Sequence, residues 1–343
     1  MKKLRAGILG ATGAVGQRFI DLLSRTPWFE ITALAGSERS AGKRYADACV
    51  WRVSADCPPA VRDMTIQLGA PGLDCDIVFS ALPASEATEI ESQFAAAGYG
   101  VFSNASSHRM DADVPLLVPE VNPEHLRLVP IQQKKRGWSK GFIVTDPNCS
   151  AAGLVVALKP LYEAFGIRRM IVTTMQALSG AGYPGVPGLD TLDNVVPYIG
   201  GEEEKMAREP LKMLGAFSAE QEAVIPAGFA ISAACNRVAT RDGHLEAVSV
   251  EFERKPSLDE VIAALKSFES LPFKLGCPSA VDPTIIVRTE PDRPQTVMDR
   301  YAGNGMAVSV GRVRRCEVFD YKFIVLSHNT TRSAELMIAQ GMI

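Results

Sequence analysis

The sequence predicts an α/β protein in two parts: a parallel sheet wrapped by helices, then a second, α+β part with a mixed or antiparallel sheet. Three observations carry this expectation. A glycine-rich turn joins the first apolar run to the first helical stretch. Short apolar runs then alternate with helical stretches as far as about residue 150. Beyond that point β-rich runs are separated by long excursions, and a chain of 343 residues exceeds one typical domain.

Leu4 to Leu9 is an apolar run that ends at Gly10, and Val15 to Leu23 follows as a helix, so the start reads strand, turn, helix. Phe29 to Ala35, Asp76 to Ala81, Gly100 to Ser103 and Phe142 to Thr145 are further strands, with Ser85 to Ala97 as a helix between two of them. Gln132 to Arg136 reads as a solvated loop. A helix over Ala151 to Phe165 leads into a strand, Arg169 to Leu178, and a Gly/Pro-rich loop, Ser179 to Gly188. Leu245 to Phe252, Met306 to Val313 and Val318 to Leu326 are the later strands. Ser257, with Glu260 three residues on, marks a helix start of capping-box type.

Composition narrows the function. Hydrophobic residues make up 47% and charged residues 22%, ordinary globular values. A net charge of -3 gives no electrostatic reason to expect nucleic acid or an anionic membrane as partner. The opening Met1-Lys2-Lys3 and its apolar sequel differ from a signal peptide through Arg5 and several glycines, and no run of about 18 apolar residues occurs. Seven irregularly spaced cysteines fit neither a disulfide framework nor a zinc site. The expectation is a cytoplasmic protein with reduced thiols.

Gly10, Thr12, Gly13, Ala14, Val15 and Gly16 occupy the first strand-to-helix turn. Glycine there lets backbone N–H groups and a positive helix end approach a pyrophosphate, the Rossmann-type arrangement. After the second strand comes Ser37-Glu38-Arg39-Ser40. A guanidinium flanked by hydroxyls suits a ribose 2′-phosphate, so NADP is the expected cofactor; Glu38 is the residue that would instead serve NAD.

Asp146-Pro147-Asn148-Cys149-Ser150 falls between a strand and a helix. A cysteine at a helix N-terminus is expected to have its pKa lowered by the dipole, and Asn148 and the Cys149 amide are candidate oxyanion donors. Cys49, Cys75, Cys235, Cys277 and Cys316 read instead as small buried apolar residues. His244 follows Asp242-Gly243 at a turn into a strand, whereas His108, His125 and His328 read as hydrogen-bonded surface residues.

These segments resemble the aspartate-semialdehyde dehydrogenase family, in particular its archaeal and fungal branch. The resemblance runs through Gly10 to Gly16, Ser37 to Ser40, Ser103 to Asp111, Val118 to Asn122 and Pro147 to Ser150. It continues through Gln176 to Gly182, Gly201 to Lys205, Asn236-Arg237-Val238 and Asp242-Gly243-His244. It implies Cys149 as nucleophile, His244 as general acid/base and Gln176 as the residue orienting substrate. Arg237 would clamp the substrate carboxylate, and Arg109 and Lys205 would bind the transferable phosphate beside Glu202. Ser80, Gly180 and Asn329 would join the cofactor site.

The resemblance further implies reductive dephosphorylation of aspartyl phosphate through a Cys149 thioester, in a homodimer or homotetramer joined through the second domain. The cofactor domain would span residues 1–148 plus a C-terminal helix from about 329 to 343, with residues 149–328 as the catalytic and dimerisation domain. The chain departs from its relatives in two places. The small-residue run after Asn329-Thr330-Thr331-Arg332 is shortened, and Val238 to Arg241 lacks a proline. A reductase of malonyl-CoA or succinyl-CoA is the nearest alternative, since Arg109 and Lys205 could serve a coenzyme A phosphate. A reductase of N-acetylglutamyl phosphate and a non-catalytic NADP-binding protein are more distant.

Overall fold

The computed structural model describes residues 2–53 and 56–340. The first sheet is parallel and six-stranded: β1 (Leu4–Leu9), β2 (Phe29–Gly36), β3 (Gln67–Leu68), β4 (Ile77–Ser80), β5 (Gly100–Ser103) and β6 (Phe142–Thr145). Its order is β3-β2-β1-β4-β5-β6. The chain therefore starts in the middle, winds outward one way through β2, then crosses β1 and winds the other way. The crevice at the carboxyl ends of β1 and β4 is the switch point where such sheets bind ligands.

Both faces of this sheet are covered, as parallel sheets require. Helix α1 (Ala14–Leu23) lays Phe19, Ile20 and Leu23 against Ile8, Leu34 and Phe79 on one face. On the other, Phe94 and Ala95 of α2 (Ala84–Ala96) pack on Val78, Val101 and Ile143. The segment read as a solvated loop is instead the end of helix α3 (Leu128–Arg136), and Gln132 is fully buried. Its side chain accepts from Ile143 N (2.7 Å) and donates to the carbonyls of Ile143 and Asp113. Lys134, Lys135 and Arg136 form the last turn, where cations suit the negative helix end, and Gly137 closes it at φ 69°.

The second sheet is mixed. It comprises β7 (Ile167–Gln176), β10 (Ala230–Arg237), β11 (His244–Phe252), β12 (Ile285–Arg288), β13 (Val308–Arg315) and β14 (Tyr321–Ser327), in the order β10-β7-β11-β14-β13-β12. A hairpin, β8 (Ala216–Ser218) and β9 (Ala223–Ile225), stands apart. The outer strands β10 and β12 were not foreseen from the sequence. The last strand begins three residues later than expected, leaving Val318 exposed, because Cys316 N donates to Asp320 O across a turn.

Three helices cover one face of this sheet: α4 (Cys149–Phe165), α5 (Glu202–Met213) and α6 (Leu258–Lys266). Ser257 and Glu260 complete the expected capping box of α6. In α4, Leu154, Val155, Val156, Leu158 and Leu161 are fully buried. At about 1.5–3 kcal/mol per such side chain, this burial fixes where the helix N-terminus sits. The last helix, α7 (Thr331–Gln340), returns to the first sheet, where Ala334, Met337 and Ile338 join the cluster around Phe19 and Ile20. Positions 341–343 of the expected C-terminal helix lie outside the described residues.

Candidate active site

Cys149 is the first residue of α4, directly after β6. Asn148 caps the helix, its Oδ1 accepting from Ser150 N (3.0 Å) and Ala151 N (3.4 Å). β11 alternates cleanly, so His244, Glu246 and Val248 share its buried face, the face that α4 covers. That alternation brings His244 Nε2 to 3.1 Å from Cys149 Sγ. Gly243, at φ 94°, makes the turn that starts the strand.

β7 presents Thr174 and Gln176 on the same face, and α5 supplies Glu202. Glu202 gathers the donors. Its Oε2 accepts from Asn148 Nδ2 (2.7 Å) and Gln176 Nε2 (3.2 Å), and its Oε1 from Lys205 Nζ (2.9 Å). Burial pushes the Glu202 carboxyl up, but the Lys205 ammonium and the two amides outweigh it and hold it below its ordinary value. The expected oxyanion role of Asn148 meets a competing demand: one of its two amide N–H donors is committed to Glu202, leaving the other. Among the described residues the Cys149 amide makes no hydrogen bond and remains available as a donor.

The helix dipole does not govern Cys149 as expected. Burial first, then the Glu202 carboxylate, push its thiol up to about 12, while Arg109 and Arg237 pull the other way. His244 is fully buried, whereas Cys149 keeps some exposure; burial, with Arg237 and His328 adding to it, holds the His244 ring down to about 3.

Arg237, from the end of β10, donates Nη1 to Ala177 O (2.7 Å) and, among the described residues, meets no carboxylate. Gly180 makes room for this corner. A Cβ there would lie 2.9 Å from Arg237 Nη1 and 3.2 Å from His244 Nε2. Arg109 pairs with Glu209 Oε1 (3.1 Å), whose Oε2 accepts from Asn148 N (2.6 Å). Glu209, Ala177 and the buried acids Asp146 and Glu246 were missed from the sequence. The one available signal was spacing: Glu202, Lys205 and Glu209 stand at i, i+3 and i+7 on one face of α5.

The other histidines are buried rather than on the surface. His125 lies between Asn122 Nδ2 (2.8 Å) and Gly215 O (3.0 Å), His108 beside Asp111 (2.8 Å), and His328 takes Thr331 N (3.3 Å). The turns that carry them fold under neighbouring segments. Cys75, Cys235 and Cys277 are buried as expected, whereas Cys49 and Cys316 are only half-buried.

The glycine loop lies at the switch point. Gly10 has φ 72°, and a Cβ on Gly16 would lie 2.3 Å from Gly10 O. Gly13 caps α1 without any side-chain bond, so that helix end is open to an anion, with Thr12, Ala14 and Val15 around it. Arg39 is exposed beside Ser37 and, among the described residues, forms no ion pair; Ser40 is buried and donates to Ser37 O (3.0 Å). Ser80 is buried at the end of β4, its hydroxyl beside the Glu91 carboxyl. These features fit a phosphorylated dinucleotide. Asn329 is occupied otherwise, accepting from Gly243 N and donating to Ser179 Oγ (both 2.9 Å).

Residues 5–129 match the semialdehyde dehydrogenase NAD binding domain family, and residues 158–332 match the semialdehyde dehydrogenase dimerisation domain family. The chain is 51% identical to an aspartate-semialdehyde dehydrogenase of Archaeoglobus fulgidus, with 98% of each chain covered. It is 48% identical to one of Candida albicans, covering 99% of this chain and 98% of that one. A crystal structure of aspartate semialdehyde dehydrogenase with NADP from Candida albicans superposes with a TM-score of 0.90 at 45% identity, covering both chains fully. A Vibrio cholerae aspartate semialdehyde dehydrogenase II complexed with ASA gives 0.77 at 26% identity, covering 100% of this chain and 98% of that one. This chain belongs to the aspartate-semialdehyde dehydrogenase family, among relatives from archaea and fungi.

Proposed function

We propose that the chain interconverts aspartyl phosphate and aspartate semialdehyde, with NADP as cofactor and Cys149 as the covalent nucleophile. The observation that carries this reading is the Cys149–His244 contact of 3.1 Å at a helix N-terminus, beside an Arg237 that meets no carboxylate among the described residues. The relatives' shared name favours this substrate over the acyl-CoA alternative.

Gly10 to Gly16, Ser37, Arg39, Ser40, Ser80 and Gly180 would hold the cofactor, Arg39 facing the 2′-phosphate. When bound, NADP supplies or accepts the hydride. The chain's own residues do the rest. Cys149 forms and releases the acyl thioester, splitting the reaction into two easier steps. Arg237 holds the substrate carboxylate with its remaining N–H groups, a planar donor matched to a planar acceptor. Gln176 and Asn148, both tied to Glu202, fix the acyl group beside the sulfur. Arg109 and Lys205 receive the phosphate, each exchanging part of its present carboxylate contact for the incoming anion.

The chain is further proposed to assemble as a homodimer or homotetramer through the second sheet and its Gly/Pro-rich loop. Ile171 on the sheet and Leu189, Leu192, Val195 and Tyr198 beyond the loop are exposed apolar side chains. Among the described residues no helix is long and apolar enough to cross a membrane, and all seven cysteines are free, which supports a reducing, cytoplasmic setting. Substitution Cys149→Ala tests the core of the reading. Turnover should vanish while NADPH binding, read by cofactor fluorescence, persists; surviving turnover would remove Cys149 as nucleophile.

A further inference from the structure

One face of α5 holds the phosphate cation and the nucleophile's loop at the same time. Glu209 is 2% exposed and both its oxygens are taken: Oε1 accepts from Arg109 Nη1 (3.1 Å) and Oε2 from Asn148 N (2.6 Å). Both partners are donors, so the position calls for an acceptor-only group, a carboxylate; an amide would turn its NH2 against one of them. Asn148 is held twice by this helix, since Glu202, seven residues earlier, takes its side-chain amide. Lys212, three residues on, holds the carbonyls of Arg109 and Asp111. Arg109 is thus fixed at its backbone and at its tip, with Asn104 O accepting from Nη2 (2.9 Å). Its Nε is buried without a partner among the described residues. That N–H and the remaining Nη hydrogens can meet an anion while part of the Glu209 contact is kept.

We propose that Glu209 is the positioning residue of the phosphate site: it aims Arg109, keeps Asn148 and Cys149 in register with it, and cancels enough of its charge for phosphate to leave. This rests on the acyl-phosphate reading of the site. Two uncompensated cations would hold inorganic phosphate, the product in one direction and the substrate in the other, too tightly to turn over. Here each cation carries a carboxylate, Glu202 on Lys205 (2.9 Å) and Glu209 on Arg109, so the site offers directed N–H groups with little net charge. The two carboxylates are not equivalent. Glu202 also reaches the acyl side through Gln176. The side-chain hydrogen bonds of Glu209, among the described residues, go to the phosphate cation and to the residue before the nucleophile. Its influence therefore falls on phosphate and on turnover, and spares semialdehyde binding, which belongs to Arg237.

The test compares Glu209→Gln with Glu209→Asp, assayed in the oxidative direction with inorganic phosphate varied. Gln has the reach without the charge; Asp has the charge but one methylene too few to span both partners. In Glu209→Gln the KM for phosphate should fall about tenfold, because a like charge has been removed from a partly shielded neighbourhood. Its kcat should fall at least about tenfold, because Asn148 and Cys149 lose their tie to Arg109. The KM for semialdehyde and the NADP affinity, read by fluorescence titration, should not change. In Glu209→Asp, kcat should fall while the phosphate KM stays at the wild-type value. A phosphate KM that holds or rises in Glu209→Gln, or falls equally in Glu209→Asp, overturns the proposal, as does an unchanged kcat in either variant. Should Glu209→Gln fail to fold, Glu209→Asp decides alone: a lowered kcat at constant phosphate KM upholds the assignment, and any shift of that KM overturns it. Wild-type turnover that requires coenzyme A instead of phosphate would fail the functional reading and this one together. Phosphate-dependent wild type without the split between the variants would fail this one alone.

Discussion

Replacing Lys212 by Met gives the most quantitative prediction. Lys212, on α5, is 6% exposed, and its Nζ donates to the carbonyls of Arg109 (2.7 Å), Asp111 (2.7 Å) and Val114 (2.8 Å). It pins the segment that carries Arg109 to the helix that carries Glu202. Removing Nζ leaves three carbonyls without that partner, about 1–3 kcal/mol each. Against this, burial has pulled the ammonium from 10.5 down to about 8. Taking that charge out of the interior returns about 3 kcal/mol, at 1.36 kcal/mol per pKa unit. The difference centres on about 3 kcal/mol of destabilisation. With an unfolding entropy of about 2.1 cal/mol/K per residue, the midpoint should fall by about 4 °C.

The pH dependence of that loss follows from linkage. Because the folded pKa lies below the unfolded one, the native state binds fewer protons between about 8 and 10.5, and stability rises with pH across that window. The gap between wild type and Lys212→Met should therefore widen from pH 8 to 10 in paired thermal melts followed by circular dichroism. A variant within 1 °C of wild type, or a gap that narrows with rising pH, would refute the reasoning.

Other substitutions probe the site itself. Arg237→Ala should raise the KM for semialdehyde about 10- to 150-fold, the equivalent of 1.5–3 kcal/mol for charge-assisted hydrogen bonds, while NADP titration is unchanged. An unaltered KM removes Arg237 from the carboxylate clamp. Gly16→Ala sets a Cβ 2.3 Å from Gly10 O and 2.9 Å from Ala11 Cα, both backbone, so NADP affinity should drop at least about tenfold. Asp146 is fully buried, neither oxygen has a hydrogen-bond partner among the described residues, and burial holds it well above its ordinary value, which favours the protonated form. Its native state binds the extra proton above about pH 4, and stability declines from there as pH rises. Asp146→Asn should match wild type near pH 4 and exceed it at pH 8; the opposite ranking in urea melts would contradict a neutral Asp146.

The legible parts of this protein are those where one local signal suffices. Gly10 to Gly16 needed only a strand before and a helix after, and Cys149 needed only its place at a helix start. His244 required a strand that buries every second residue, and β11 does. The parts that were missed depend on distant pairings. Nothing near Asn148 announces that Glu202 will take its amide, 54 residues on, or that Glu209 will take its backbone N–H. On sequence the α5 charges resemble a solvated face, because the sheet that buries one side of them is assembled later in the chain. The α3 end was misread for a related reason: polar side chains in a last helical turn look like a loop until Gln132 is seen bonding β6. Strands β10 and β12 lie at the sheet's two edges, where small or few residues weaken the alternation signal. The pKa of Cys149 reverses because the dipole is a local effect and desolvation is a tertiary one.

The central claim is that this site makes and breaks an acyl phosphate. The direct test follows NADPH formation from purified protein, NADP and aspartate semialdehyde, with phosphate in one cuvette and coenzyme A in another. The account predicts turnover that depends on phosphate and is lost in Cys149→Ala. Turnover with coenzyme A alone would contradict it and place Arg109 and Lys205 at a coenzyme A site instead.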